Sequence, residues 1–356
     1  MNPNTIWTGI GVAAVIVVGC SPLWAGTYFT SVITMTLIFI ALTSAWNIVG
    51  GMAGQFSLGN SLFVGCGGTL VGALVTKNDW SIWTALIVGA LTAAILAFII
   101  ACLMFRSSLP HLAFAIVTLA LAEAGLLFVT STDALGAGSG IVLKVKDGAM
   151  ASLSTPGQKL WLALIVAIIV VLISWLLLHS KLGFRMRAAR DNESAAAAIG
   201  VSLFWTKTIA LVVSAVLSSI VATIFASYVV FIDPDQFASP ILSITIILYA
   251  VVGGLGTVRG PILGAGLLYP LGEILRGEFG DISGLHLVIF GLAIILIVLY
   301  APGGLAGLLS KLFGRRSSAF PPLTDTGLTG GRFGIDRGDD EDNTPDTDPT
   351  TKGTRS

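Results

Sequence analysis

Apolar residues run through this chain in blocks separated by short polar stretches, and many of the blocks approach the roughly 20 residues that an α-helix needs to cross a hydrocarbon core of about 30 Å. Read this way, the pattern places ten spans near residues 6–24, 28–49, 54–75, 80–104, 111–130, 159–179, 207–231, 241–258, 261–276 and 284–302. The block from Leu160 to Leu178 contains no charge at all. By contrast, 54–75 and the pair within 241–276 are interrupted by glycines, which marks partly broken helices. Trp7, Trp24, Trp80, Trp83 and Trp161 fall near predicted ends, where an indole keeps its ring in the interface and its N–H hydrated. The expected fold is therefore all-α and polytopic, with about ten transmembrane or partly broken helices.

Composition agrees: 55% of the residues are hydrophobic, only 11% are charged, and the mean hydropathy is +0.92. The 19 basic and 19 acidic residues cancel in number but not in place. Residues 317–356 carry four basic and eight acidic side chains among Ser, Pro, Gly and Thr, with too little apolar content to repay the entropy of ordering. The expected organisation is a transmembrane domain over 1–316 and a disordered acidic cytoplasmic tail over 317–356. With the amino terminus inside, ten of the first 15 basic residues fall on cytoplasmic loops, as the positive-inside rule requires. Both termini are then cytoplasmic. No basic domain or stripe supports nucleic-acid binding. Cys20, Cys66 and Cys102 each lie in apolar sequence without CxxC spacing, so they read as packing residues rather than disulfide partners or metal ligands.

Catalytic signatures are missing. No Lys follows a Gly, so a Walker A phosphate cradle cannot form on this chain, and neither HExxH nor a GxSxG elbow is present. What remains are polar groups at membrane depth. Gly50 to Asn60 combines small residues with Gln55, Ser57 and Asn60, and irregular backbone at that depth is tolerated only when buried in protein or lining a watery cavity. Two readings stand: close helix packing through small residues, or a substrate pathway lined by Gln55, Ser57 and Asn60. Glu123 is the one carboxylate well inside a predicted span. Leaving it ionised near a helix centre costs about 2.5–3.5 kcal/mol, so it serves either a pathway or a structural hydrogen bond. A short internal echo links Val49-Gly50-Gly51-Met52-Ala53-Gly54 with Val252-Gly253-Gly254-Leu255-Gly256. Chance can produce so short a match, although paired glycine-interrupted segments in two halves are a pointer to transport sites.

The most specific stretch is the loop from Lys181 to Val201, which holds Arg185, Arg187, Arg190, Asp191, Glu193 and four consecutive alanines before Ile199-Gly200. Alanine favours helix, Asp191 or Asn192 can cap its start, and Gly200 can end it. A charged, capped helix between two spans is more than a connector needs.

Here the chain resembles the branched-chain amino acid ABC permeases of the LivM type. Arg190-Asp191-Asn192-Glu193 followed by Ala195-Ala196 and Gly200 is similar to their cytoplasmic coupling loop. Further matches are Gly54-Gln55-Phe56-Ser57-Leu58-Gly59, Phe114 to Ala120, Phe231-Ile232-Asp233-Pro234-Asp235, Val252 to Thr257 and Pro302-Gly303-Gly304-Leu305. The chain departs at Asn60, where the family usually has histidine, and only loosely follows the family's outer-loop glycine run at Ala134 to Gly140. The resemblance implies a permease subunit of an ATP-driven importer in the bacterial cytoplasmic membrane, with branched-chain amino acids or another small polar solute as cargo. It implies a second homologous permease, two cytoplasmic ATPase subunits that hold the ATP and Mg, and an extracytoplasmic solute-binding protein. Embedded in membrane lipid, the chain itself would hold no cofactor, metal or catalytic residue. Arg187, Arg190, Asp191, Glu193 and Gly200 become the expected ATPase-coupling residues. The rival expectation is a secondary transporter or channel using Glu123 as an ion or proton site.

Overall fold

The computed structural model of the protein describes residues 18–23, 26–106, 111–136, 138–143, 155–279, 284–301 and 303–312. The predicted first span at 6–24 lies mostly outside the described residues, and the predicted tail at 317–356 lies wholly outside them. Among the described residues the chain is almost entirely helical. Its helices are α1 (Thr27–Asn47), α2 (Asn60–Gly65), α3 (Val71–Lys77), α4 (Ile82–Phe105), α5 (His111–Ser131), α6 (Pro156–His179) and α7 (Lys181–Asp191). There follow α8 (Glu193–Ala198), α9 (Leu203–Val229), α10 (Pro234–Phe237), α11 (Pro240–Gly253), α12 (Arg259–Phe279), α13 (Leu285–Tyr300) and α14 (Gly304–Leu312).

Six segments among the described residues are long and apolar enough to cross a membrane: Thr27–Met52, Ile82–Phe105, Leu112–Ser131, Pro156–His179, Leu203–Val229 and Pro234–Gly253. The other predicted spans depart from a plain apolar rod for visible reasons. The 54–75 span is assembled from α2, a π-helical turn at Cys66–Leu70 and α3. α12 carries Pro270 and the charged Glu273, Arg276 and Glu278, and α13 has only 16 residues.

α1 and α9 form the centre, with 83% and 72% of their apolar windows buried, whereas α4, α5 and α6 at 28%, 28% and 33% form the periphery. α4 packs most extensively on α9, and its buried positions explain why. Ala85, Gly89, Ala93, Ala97 and Ala101 recur every fourth residue on one face, while Ile87, Leu91, Ile95 and Ile99 are exposed on another. Lipid is as apolar as Leu, so helices here associate through close approach of small residues rather than by hydrophobic burial. α6 packs on α1 through Leu160, Ala163, Leu164, Ala167, Val170 and Ser174. Its start is fixed by Pro156 and by a reciprocal cap between Thr155 and Gln158.

The loops gather at two ends. At one, β1 (Ile141–Val142) pairs antiparallel with β2 (Phe231–Ile232), with Ile141 opposite Ile232. Leu143 N–H donates to the Val230 carbonyl at 2.7 Å, and the Lys77 ammonium donates to the Asp133 carbonyl. The other end brings together the end of α1, the segment 180–202 and the turn after α11.

Candidate functional site

The site begins where α1 stops being an α-helix. It runs on as a π-helical turn at Ile48–Met52, and the backbone is non-helical from Ala53 to Gly59 before α2 resumes the crossing. Backbone groups freed inside a membrane protein must find partners, and here they come both from the break itself and from distant helices. Trp46 Nε1 donates to the Ser57 carbonyl at 2.8 Å, Gln55 N–H to the Val49 carbonyl at 3.0 Å and Leu58 N–H to Thr118 Oγ1 at 3.0 Å. Ser57 Oγ accepts from Gly59 N–H at 3.3 Å, and Ser243 Oγ accepts from Ser61 N–H at 2.7 Å.

Gln55, Ser57 and Asn60 are all buried in this break. Asn60 Oδ1 accepts from Ser218 Oγ at 3.0 Å. Among the described residues Gln55 Nε2 and Asn60 Nδ2 have no hydrogen-bond partner, and neither do the hydroxyls of Ser61, Ser214 and Ser219. The break is thus a polar seam between α1, α2, α9 and α11. Glu123 is not part of it. It lies on the exposed face of α5, with Leu112, Ile116, Ala120 and Leu127.

The faint glycine echo acquires a physical meaning. Asn47, the last residue of α1, donates from Nδ2 to the Thr257 carbonyl at 3.0 Å and accepts at Oδ1 from Gly256 N–H at 2.9 Å. The two echoing segments are therefore stitched together. They meet so closely that a Cβ at Gly51 would lie 1.9 Å from Asn47 Oδ1 and 2.4 Å from Gly256 N.

Against this seam lies the charged loop. Ser180 Oγ caps α7 by accepting from Gly183 N–H at 3.2 Å. Asn192, rather than Asp191, caps α8, its Oδ1 accepting from Ala195 N–H at 2.9 Å. Gly200 ends α8 at φ +84. Gly200 N–H bonds the Ala197 carbonyl and Val201 N–H the Ala196 carbonyl, both at 3.0 Å, the paired pattern of a Schellman cap that a residue in left-handed conformation makes possible.

The expected coupling residues divide. Arg187 Nη2 donates to the Leu178 carbonyl at 3.2 Å, with its guanidinium 4.5 Å from the Phe184 ring centroid. Arg190 Nη1 donates to the Gly51 carbonyl at 3.0 Å, and Glu193 Oε1 pairs with Lys207 Nζ at 2.6 Å. Asp191 binds the Arg190 guanidinium at 3.0 Å and is otherwise open, at 67% side-chain exposure. Sequence reasoning passed over Trp46, Asn47, Ser218 and Ser243, and counted Lys207 only as a loop charge. An Asn and a Lys at the edges of apolar blocks were the available signals. Among the described residues no group of three or more His, Cys, Asp or Glu could hold a metal ion.

Apolar helices around a broken central span, with polar side chains at the break and a capped helix strapped across one end, define a multi-pass membrane permease. The chain belongs to the family described as branched-chain amino acid transport system, permease component, which matches residues 28–299. It is 26% identical over 331 residues to the high-affinity branched-chain amino acid transport system permease protein LivM of Salmonella typhimurium, covering 86% of this chain and 76% of that one. Identity to the LivM protein of Escherichia coli is 27%, over 83% of this chain and 73% of the relative. The autoinducer 2 import system permease protein LsrC of Photorhabdus luminescens is 31% identical over 156 residues, 38% of this chain and 46% of the relative.

Proposed function

We propose that this chain is the membrane-spanning permease subunit of an ATP-binding-cassette importer that moves a small polar solute, with branched-chain amino acids as the first candidates. The observation that carries the proposal is the segment 181–200, a helix pair capped at both ends and laid against the broken end of α1, in a chain of this permease family. The LivM relatives, permease proteins of branched-chain amino acid transport systems, support the cargo class. On this reading the protein sits in the bacterial cytoplasmic membrane with both termini inside. It works with a second homologous permease, two ATPase subunits and an extracytoplasmic binding protein. ATP and Mg belong to the ATPases, this chain is not an enzyme, and the acidic stretch 317–356 is a tail that transport does not need.

The surface that would meet an ATPase is the outward side of α7 and α8. Phe184 is 63% exposed and Ile199 77%, and Ala195, Ala197 and Ala198 are exposed between them. Exposed apolar side chains of this kind can seat in a partner's groove without burying unpaired charge. Gln55, Ser57 and Asn60 are proposed pathway residues because the unbonded amide nitrogens of Gln55 and Asn60, with the Ser57 hydroxyl beside them in the chain, would be exposed if the break opened. Glu123 is proposed to face water or a partner subunit, because an exposed carboxylate at that depth is costly against lipid.

Affinity purification of the chain from its native membrane tests the proposal. Co-elution of an ATPase and a second permease is expected. Recovery of the chain alone, with solute flux that follows an imposed ion gradient and is lost in Glu123→Gln, would establish the secondary-transport alternative instead.

A further inference from the structure

The charged residues expected to meet an ATPase are bound to their own chain. Arg187 and Arg190 each reach the carbonyl of a residue at the end of a different helix, Leu178 near the end of α6 and Gly51 in the turn that ends α1. Such terminal carbonyls lack helical partners and carry partial negative charge, which an arginine complements. Glu193 reaches Lys207 near the start of α9, and the Lys207 side chain is only 11% exposed. Lys207 Nζ also lies 5.7 Å from the centroid of the Phe105 ring at the end of α4.

We propose that Arg187, Arg190 and Glu193 are positioning residues: a three-point brace through which the segment 181–200 moves α1, α6 and α9 as one body. Docking to the ATPase falls to the outward face of the same segment. The proposal rests on the ATP-driven reading above, and it identifies how the drive would reach the membrane.

Arg190 is the key member, because its site is shaped for it. A Cβ at Gly54 would lie 2.5 Å from Arg190 Cγ, and a Cβ at Gly256 would lie 2.5 Å from Nη1. Both glycines hold positive φ, at +70 and +72, so few residues other than glycine suit either wall of the notch. Asp191 accepts from Arg190 Nε at 3.1 Å, which fixes the plane of the guanidinium. The side chain therefore touches both interrupted segments that Asn47 stitches together, 49–54 and 254–257. Force on α7 arrives at the break of α1 and at the turn after α11 together.

The experiment uses the full chain reconstituted with its ATPase, second permease and binding protein in proteoliposomes. Arg190→Gln and Arg190→Lys are expected to retain bound, hydrolysing ATPase while uptake per ATP falls about tenfold, the equivalent of about 1.4 kcal/mol of coupling. Glu193→Lys and Lys207→Glu each lower uptake, and the double variant Glu193→Lys/Lys207→Glu recovers it. Loss of ATPase binding in Arg190→Gln in proportion to uptake makes Arg190 a docking residue and overturns the brace. So does a charge-swapped double variant as poor as its worse parent. Thermal unfolding of the purified full chain provides a second reading of the Glu193–Lys207 link: both single variants should melt lower and the double should recover, and absence of recovery again overturns the link. A wild-type chain that binds no ATPase defeats the ATP-driven reading, and the melting comparison then decides the brace by itself.

Discussion

α4 and the break after α1 solve the same problem, the packing of helices without help from water, in opposite ways. α4 is continuous, with small residues on one face and exposed Ile and Leu on another. Its backbone satisfies itself, and its neighbour needs only to come close. The break and the first turn of α2, residues 48–61, leave backbone groups open and close them with Trp46, Thr118 and Ser243, drawn from α1, α5 and α11. Continuous spans can therefore tolerate sliding and substitution on their exposed face. The break depends on particular atoms at fixed distances, and it is where the charged loop has been attached. A membrane protein that must move gains from having both, rigid rods and a few jointed ends.

Steric intrusion at the joint should produce the largest effect. Gly51→Val would drive side-chain carbons into Asn47 and Gly256, and is expected to cost about 3 kcal/mol or more of stability, read as a large drop in the melting temperature of the detergent-purified chain. Near-wild-type melting would mean that the two glycine segments do not press together. Removing the stitch comes next. Asn47→Ala leaves the Gly256 N–H and the Thr257 carbonyl unbonded and should cost about 2 kcal/mol, with uptake lowered as well. In the rod, Ala93→Leu places bulk on the face packed against α9 and should cost about 1–2 kcal/mol, whereas Ile95→Ala on the exposed face should change melting by less than about 0.5 kcal/mol. Equal effects at Ala93 and Ile95 would contradict the one-sided packing of α4. The smallest effect is expected at Glu123, where Glu123→Gln keeps a hydrogen-bonding group and should leave uptake ATP-dependent, within about twofold of wild type, as for a substitution worth about 0.4 kcal/mol.

The rods were legible in the sequence because a hydropathy block and a small-residue repeat are local properties. The caps of α8 were legible for the same reason: Asn192 and Gly200 act within a few residues of themselves. Gln55, Ser57 and Asn60 could be singled out as polar residues at depth, but their surroundings could not. Ser218 lies 158 residues from Asn60, and Gly256 lies 209 from Asn47. No one-dimensional pattern carries such a pairing, so the glycine echo had the standing of coincidence until the fold brought its halves into contact. The direction of charges was also hidden. Arg187, Arg190 and Glu193 have the composition of an exposed basic loop, yet each is engaged within the chain, Arg187 and Glu193 by groups 9 and 14 residues away and Arg190 by the Gly51 carbonyl, 139 residues away, which becomes its neighbour only when the loop packs against α1.

The central claim is that this chain transports only when an ATPase drives it, through the segment 181–200. The most direct test is uptake of radiolabelled leucine into proteoliposomes holding this chain, its co-purified permease and ATPases, and the binding protein, with ATP or an imposed proton gradient as the sole energy source. The account predicts uptake with ATP and none with the gradient, and no uptake from vesicles holding this chain alone. Gradient-driven uptake by the chain alone, unaffected by ATP, would contradict it.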